Sequence, residues 1–160
     1  MTKPKVVAAC AIAAIVVAIG GWKLAERMSR AGANFAEMIA RGQKIYAANC
    51  ASCHGDRLQG QQNWKQQTAE GVLPAPPQDA TGHTWHHPDQ QLFKITKLGV
   101  AALVPNYKTN MAGFGDRLSD QDIWDVIAYL KSTWPPDIQE RQRAITKSAA
   151  EQGLGPSGAQ

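Results

Sequence analysis

The chain has 160 residues, 44% of them hydrophobic and 19% charged, with a formal net charge of +4 at pH 7. That length fits one small domain with attachments. Residues 35–134 carry nine basic and nine acidic side chains, and the surplus comes from Lys3, Lys5, Lys23, Arg27 and Arg30 against Glu26, around an apolar N-terminus; this placement gives no support to a nucleic-acid surface and reads as a membrane flank.

From Val6 to Trp22 no residue is charged. As a helix rising 1.5 Å per residue this run spans about 25 Å, the short end for a bilayer core of about 30 Å. Trp22 suits the interface, and lysines flank both ends. A cleaved signal peptide is the competing reading, with Ala18-Ile19-Gly20 or Ala31-Gly32-Ala33 as small-residue cleavage sites. The first lies inside the apolar run and the second beyond Lys23, Arg27 and Arg30, so an uncleaved anchor over residues 1–22 is favoured. Val7-Ala8-Ala9-Cys10 resembles a lipoprotein box, but Val6 to Ala9 is too short for the apolar region such a signal needs. Cys10 therefore reads as a small apolar residue of the anchor. Residues 23–33 read as a linker that, as random coil, would reach about 18 Å r.m.s..

A helix is expected from Asn34 to Asn49, with Asn34 as N-cap and Glu37 completing a capping box. Phe35, Met38, Ile39, Gly42, Ile45 and Tyr46 share one face, where Gly42 invites close approach by another helix. Cys50-Ala51-Ser52-Cys53-His54 follows. C-x-x-C-H is the sequence at which haem is attached covalently, the two thiols becoming thioethers and the histidine binding iron. A zinc ribbon would need a second pair of soft ligands, and the only other cysteine is Cys10. A thioredoxin-type pair would need flanking strands, and no β-branched pattern surrounds Cys50.

Leu73-Pro74-Ala75-Pro76-Pro77 reads as a rigid loop. Gly82-His83-Thr84-Trp85-His86-His87-Pro88 opens a helix over Pro88–Leu98, with Pro88 at the first helical position. Its three histidines are candidate copper or zinc ligands, with Asp79 or Asp89 as acidic partners, or a substitute ligand for iron; packing and capping are the simpler use of such a cluster. Trp64, Trp85, Asn106 and Tyr107 are candidate donors to haem propionates. A last core helix is expected over Asp120–Thr133, capped by Ser119 with Asp122 in the capping-box position and stopped by Pro135 and Pro136. Ile123, Val126, Ile127 and Leu130 form its apolar stripe. Asp137–Ala149 reads as a polar surface helix, with residues 152–160 as a loose end.

Over Phe35–Trp134 the chain resembles a class I c-type cytochrome. The resemblance rests on Gly42 and Tyr46 ahead of Cys50-Ala51-Ser52-Cys53-His54-Gly55, the proline-rich loop, a short helix ending in Lys97-Leu98-Gly99, a methionine in Asn110-Met111-Ala112-Gly113-Phe114-Gly115, and a final helix with Tyr129-Leu130. It implies an all-α cytochrome c fold, with N- and C-terminal helices crossed around one covalent haem; the single transmembrane helix expected ahead of them rests on the Val6–Trp22 run. It also implies Met111 as the second axial ligand opposite His54, and a proline carbonyl, of Pro74 or Pro76, holding the other ring nitrogen of His54. The domain boundaries implied are 34–136 for the haem domain and 137–160 for the polar helix and tail.

The function implied is single-electron transfer, not catalysis. Six-coordinate iron has no open position for oxygen or peroxide, and Cys50, Cys53, His54 and Met111 are its site residues. The expected carrier sits on the inner (cytoplasmic) membrane with its N-terminus cytoplasmic and its haem domain periplasmic. It would pass electrons from a respiratory donor complex or dehydrogenase to a terminal oxidase or reductase, alone or as a subunit of a respiratory complex. The alternative is a haem subunit of a copper-handling system, with copper at His83, His86 and His87, or of a ligand-sensing system with open iron.

Overall fold

The computed structural model describes the backbone of residues 4–153 and the side chains of residues 20–153. The expected anchor, Val6–Trp22, and Cys10 within it lie outside the described side chains, apart from Gly20, Gly21 and Trp22. Among the described residues no helix is long and apolar enough to cross a membrane. Residues 154–160, expected as a loose end, also lie outside the description.

The first helix, α1, is Pro4–Asn49. The expected linker over residues 23–33 is helical, and Asn34 stands inside α1 rather than capping it. The physical reason is composition: Lys23-Leu24-Ala25-Glu26-Arg27-Met28 are strong helix formers, and Glu26 pairs with Arg30 one turn on at 2.5 Å. No proline stands close before Asn34, and the lone Gly32 is carried within the helix. Random-coil reach does not apply to these residues. Met1–Glu37 and Met38–Gln160 are separate compact units.

In the second unit α1 ends at Asn49 and is followed by α2 (Ala51–His54), a 3-10 turn at Thr84–His86, α3 (Asp89–Leu98), α4 (Val100–Leu103), α5 (Asp120–Thr133) and α6 (Pro136–Glu151). Among the described residues the only β pairing is an isolated antiparallel bridge between Gly99 and Ala112. The all-α expectation is met. The α5 boundaries are those expected from sequence, and the Ser119–Asp122 capping box is fully formed. Pro88 turns out to cap α3 rather than begin it, with extended ψ of 155°.

Tyr46, Leu58, Leu92, Ile123, Val126, Ile127, Leu130 and Trp134 form one buried core. Each fully buried large aliphatic side chain contributes about 1.5–3 kcal/mol. The end of α1 crosses α5 inside this core. At Gly42 an added Cβ would overlap the Asp125 carbonyl and come within 2.9 Å of Tyr129 Cβ. Beside the crossing, Tyr46 and Tyr129 rings lie 5.6 Å apart. Asp125, fully buried, accepts from Arg41 Nε at 2.7 Å and Gln121 Nε2 at 2.8 Å, so its charge is compensated where it is desolvated.

The last helix is more deeply engaged than a polar surface helix. Ile138 packs on the core, and Gln142 is fully buried. Its Nε2 donates to Asp89 Oδ1 at 2.6 Å and to the His87 carbonyl at 3.2 Å. Lys131 donates to both oxygens of the same Asp89, at 2.6 and 2.7 Å. Sequence periodicity hides this because the buried member of α6 is polar.

Gly42→Ala should lower the unfolding free energy of the second unit by about 1–3 kcal/mol, the usual cost of forcing extra volume into a closed contact. Gly32→Ala, where among the described residues nothing lies within 4 Å of the new Cβ, should not lower it. Denaturant titration of both variants checks this.

Candidate haem-binding site

The C-x-x-C-H segment is one helical turn built onto the end of α1. Cys50 N–H donates to the Tyr46 carbonyl at 2.8 Å, and the Cys50 carbonyl accepts from Cys53 and His54 at 3.1 and 2.9 Å. Three-residue spacing on a helical turn puts both sulfurs on one side, with the imidazole adjacent. Both are free thiols, Cys50 half-buried and Cys53 exposed. Burial, reinforced by neighbouring Cys53, pushes the Cys50 thiol up to about 11. Gly55 closes the turn at φ +82°, and its carbonyl accepts from Tyr46 Oη at 2.8 Å.

His54 is 8% exposed. Its Nδ1 lies 2.8 Å from the Pro76 carbonyl oxygen, and an oxygen there can only accept, so Nδ1 carries the proton. Burial holds the ring's pKa below its ordinary value, and the Pro76 bond opposes that shift. A neutral ring with Nδ1 protonated leaves the Nε2 lone pair for a metal. Pro76, rather than Pro74, supplies the carbonyl.

The proline loop reaches that position through contacts remote in sequence. Gly60 N–H donates to the His54 carbonyl at 2.7 Å and Gln61 N–H to the Ala75 carbonyl at 2.9 Å, while Ala75 N–H donates to Gln61 Oε1 at 2.9 Å. Gly60, at φ +67°, lies so close to Pro76 and Pro77 that a Cβ would come within 2.6 Å of the Pro76 carbonyl carbon. Gly60 and Gln61 are site-building residues that sequence reading missed; a glycine and a polar residue soon after the motif are the only signal.

Met111 is half-buried in the loop between α4 and α5. Its N–H donates to Thr109 Oγ1 at 3.0 Å. The following residues are sewn onto the C-terminus of α3: Phe114 and Gly115 N–H groups donate to the Thr96 and Lys97 carbonyls, each at 3.0 Å. These bonds satisfy carbonyls that a helix end leaves unpaired. Gly99 and Gly113 permit the approach, since a Cβ on Gly113 would sit 2.6 Å from the Leu98 carbonyl carbon. The methionine loop is thus a fixed element, assembled separately from the cysteine–histidine turn.

Two candidate propionate donors have other engagements. Trp85 Nε1 donates to the Ala80 carbonyl at 3.3 Å, and the Trp64 ring stacks on His83. Asn106 and Tyr107 line an open cleft with Gln67, Gly71, Leu73 and Lys108.

The alternative copper site at His83, His86 and His87 is not formed: among the described residues no three His, Cys, Asp or Glu side chains converge to hold a metal. The rings stack instead. His83 lies parallel to Trp64 at 5.5 Å and edge-on to His87 at 5.5 Å, while His86 covers Trp85 at 3.6 Å. Burial, then the neighbouring His87 and His86, hold the His83 pKa below its ordinary value.

The donor set fits covalent haem: two accessible thiols at helical spacing, and a buried imidazole whose outer nitrogen is already engaged. Comparison with known proteins agrees. The cytochrome c family model matches residues 39–134. The chain is 35% identical over 96 residues to cytochrome c6 of Picosynechococcus sp., covering 60% of this chain and 74% of that protein. It is 36% identical over 95 residues to thiosulfate dehydrogenase of Stutzerimonas stutzeri, covering 59% of this chain but only 27% of that enzyme. No solved structure matches.

Replacing Cys50 and Cys53 together by serine should abolish haem staining on a denaturing gel. Either single replacement leaves one thioether and should retain it, with an altered haemochrome spectrum.

Proposed function

The chain belongs to the cytochrome c family, and on that premise we propose that it is a membrane-anchored periplasmic electron carrier whose haem iron is held by His54 and Met111. The observation that carries the reading is the His54 Nδ1–Pro76 hydrogen bond. It fixes tautomer and ring plane and commits Nε2 to the metal. When bound, haem supplies an iron centre that accepts and returns one electron at a time.

Everything else is the protein's contribution. Cys50 and Cys53 tether the group, and His54 ligates from a buried turn. Met111 ligates from a loop fastened to α3, so the same two ligands can serve both oxidation states with little rearrangement. A thioether favours the softer ferrous state and raises the potential relative to two imidazoles. With His54 and Met111 both given to the iron, the site would carry electrons and leave bond-making chemistry to partners.

The membrane assignment draws on the charge-free Val6–Trp22 run and its basic flanks. Trp22, at its end, is 71% exposed, as suits an interfacial tryptophan. Haem attachment outside the cytoplasm, which the family implies, orients the haem domain to the periplasm. Its partners then share that membrane: a quinol-oxidising complex or a dehydrogenase as donor, and a terminal oxidase or reductase as acceptor. The equal numbers of acidic and basic residues in 35–134 predict docking through local patches with modest salt dependence.

The decisive experiment compares the spectra of wild type and Met111→Ala, ferric and ferrous, with carbon monoxide added to the reduced form. The wild type should show the ferric iron–thioether charge-transfer band and ignore the gas, and the variant should lose the band and bind it. Rapid binding by the wild type would replace the carrier reading with a ligand-sensing one. For the anchor, deletion of residues 2–33 behind a cleavable export signal should move the haem protein from the membrane fraction to the soluble periplasm.

A further inference from the structure

Behind His54 stands a second side chain that the motif does not include. Gln78 places its amide nitrogen, as assigned, 3.0 Å from His54 Nδ1, while its Oε1 accepts from Thr84 Oγ1 at 2.7 Å. Its backbone is held on both sides by the core: Gln78 N–H donates to the Leu58 carbonyl at 2.7 Å, and Trp134 Nε1 donates to the Gln78 carbonyl at 2.8 Å. Trp134 is 2% exposed. Gln78 is therefore built into the structure, not laid over it.

Ligation fixes which way this amide points. An imidazole that gives Nε2 to iron keeps its proton on Nδ1, so the ring can only donate there. A glutamine N–H facing that donor would be repelled. The two ends of the amide are nearly isosteric, and its orientation is decided by the network around it. Turned over, Oε1 accepts from His54 Nδ1–H, and Nε2 donates to Thr84 Oγ1. Both contacts then join a donor to an acceptor, and the Nδ1 proton is shared between Pro76 and Gln78.

We propose that Gln78 is a positioning residue that sets the reduction potential through His54, and that Thr84, on the 3-10 turn of the histidine cluster, holds Gln78 in place. This rests on the reading of His54 as iron ligand. A second acceptor on the Nδ1 proton pushes electron density into the ring and strengthens its donation to iron. Ferric iron gains most, so Gln78 lowers the potential. The buried Thr84 ties this setting to the turn that carries Trp85 and His86, and α6 braces the same segment through Gln142 and the His87 carbonyl.

The test is redox titration of the full-length haem protein as Gln78→Leu, Gln78→Glu and Thr84→Val, with ferric and ferrous spectra recorded for each. Gln78→Leu removes the acceptor and should raise the potential, shifting the ferric–ferrous equilibrium about 3- to 10-fold toward ferrous, where tenfold is 59 mV for one electron. Gln78→Glu keeps an acceptor and adds charge, so its shift should have the opposite sign. Thr84→Val should move the potential in the direction of Gln78→Leu by a smaller amount. A merely structural role would move all three alike or change stability alone. An unchanged or lowered potential in Gln78→Leu, or the same sign in Leu and Glu, overturns the proposal. If Gln78→Leu does not fold, opposite signs for Gln78→Glu and Thr84→Val support it and equal signs overturn it. Carbon monoxide binding by the wild type would count against Met111 as ligand while leaving this test intact, since His54 and its partners are common to both cases.

Discussion

The site depends on the closeness with which the end of α1 crosses α5. Gly42 lies against the Asp125 carbonyl with no room for a methyl group, and seven residues later the same helix delivers Asn49 and the cysteine–histidine turn. Whatever fixes the crossing therefore fixes where the thiols and imidazole point. Asp125 serves the same junction from its side chain, buried and held by Arg41 and Gln121. A buried carboxylate would be costly without those partners; with them it locks the depth at which the two helices meet.

From that junction the order passes along hydrogen bonds rather than apolar contacts alone. Tyr46 closes the turn at Gly55, Gly60 is tied to the His54 carbonyl, and the Gln61–Ala75 pair brings the proline loop to the Nδ1 edge of the ring. Buried polar networks are stabilising only when their members are satisfied. Here His54 Nδ1 is paired with the Pro76 carbonyl, and the Gln78 amide pairs with it once turned over. Gln142 departs from this: its Oε1 has no partner among the described residues, while its Nε2 reaches Asp89, Thr146 and the His87 carbonyl.

What could be read from sequence was what is written locally. Cys50–His54 carries its chemistry in five adjacent residues, and α5 announces both ends, Ser119 and Asp122 at one and Pro135 at the other. Asn34 misled because a capping residue begins a helix only where the preceding chain is not already helical, and Lys23–Met28 are good helix formers. The choice between Pro74 and Pro76 was not legible, since it is decided by the register of Gln61 against Ala75 across a loop. For the histidine cluster packing is the simpler reading, but metal binding stays open on sequence because spacing says nothing about ring planes. Trp64 and Trp85 take up the faces of His83 and His86, and the nitrogens do not converge.

Stacking does not leave that cluster idle in the architecture. Thr84, between His83 and Trp85, bonds the amide that touches His54, and the His87 carbonyl receives α6. The histidine segment is thus joined at one end, through Gln78, to His54 and at the other to the C-terminal helix. In a carrier whose ligands stay the same in both oxidation states, the potential is set by such outer contacts rather than by exchange of ligands. A proline carbonyl is one fixed acceptor. On the proposal made for Gln78, a glutamine held by a threonine would be a second, placed beside the turn where Trp64, His83, Trp85 and His86 stack.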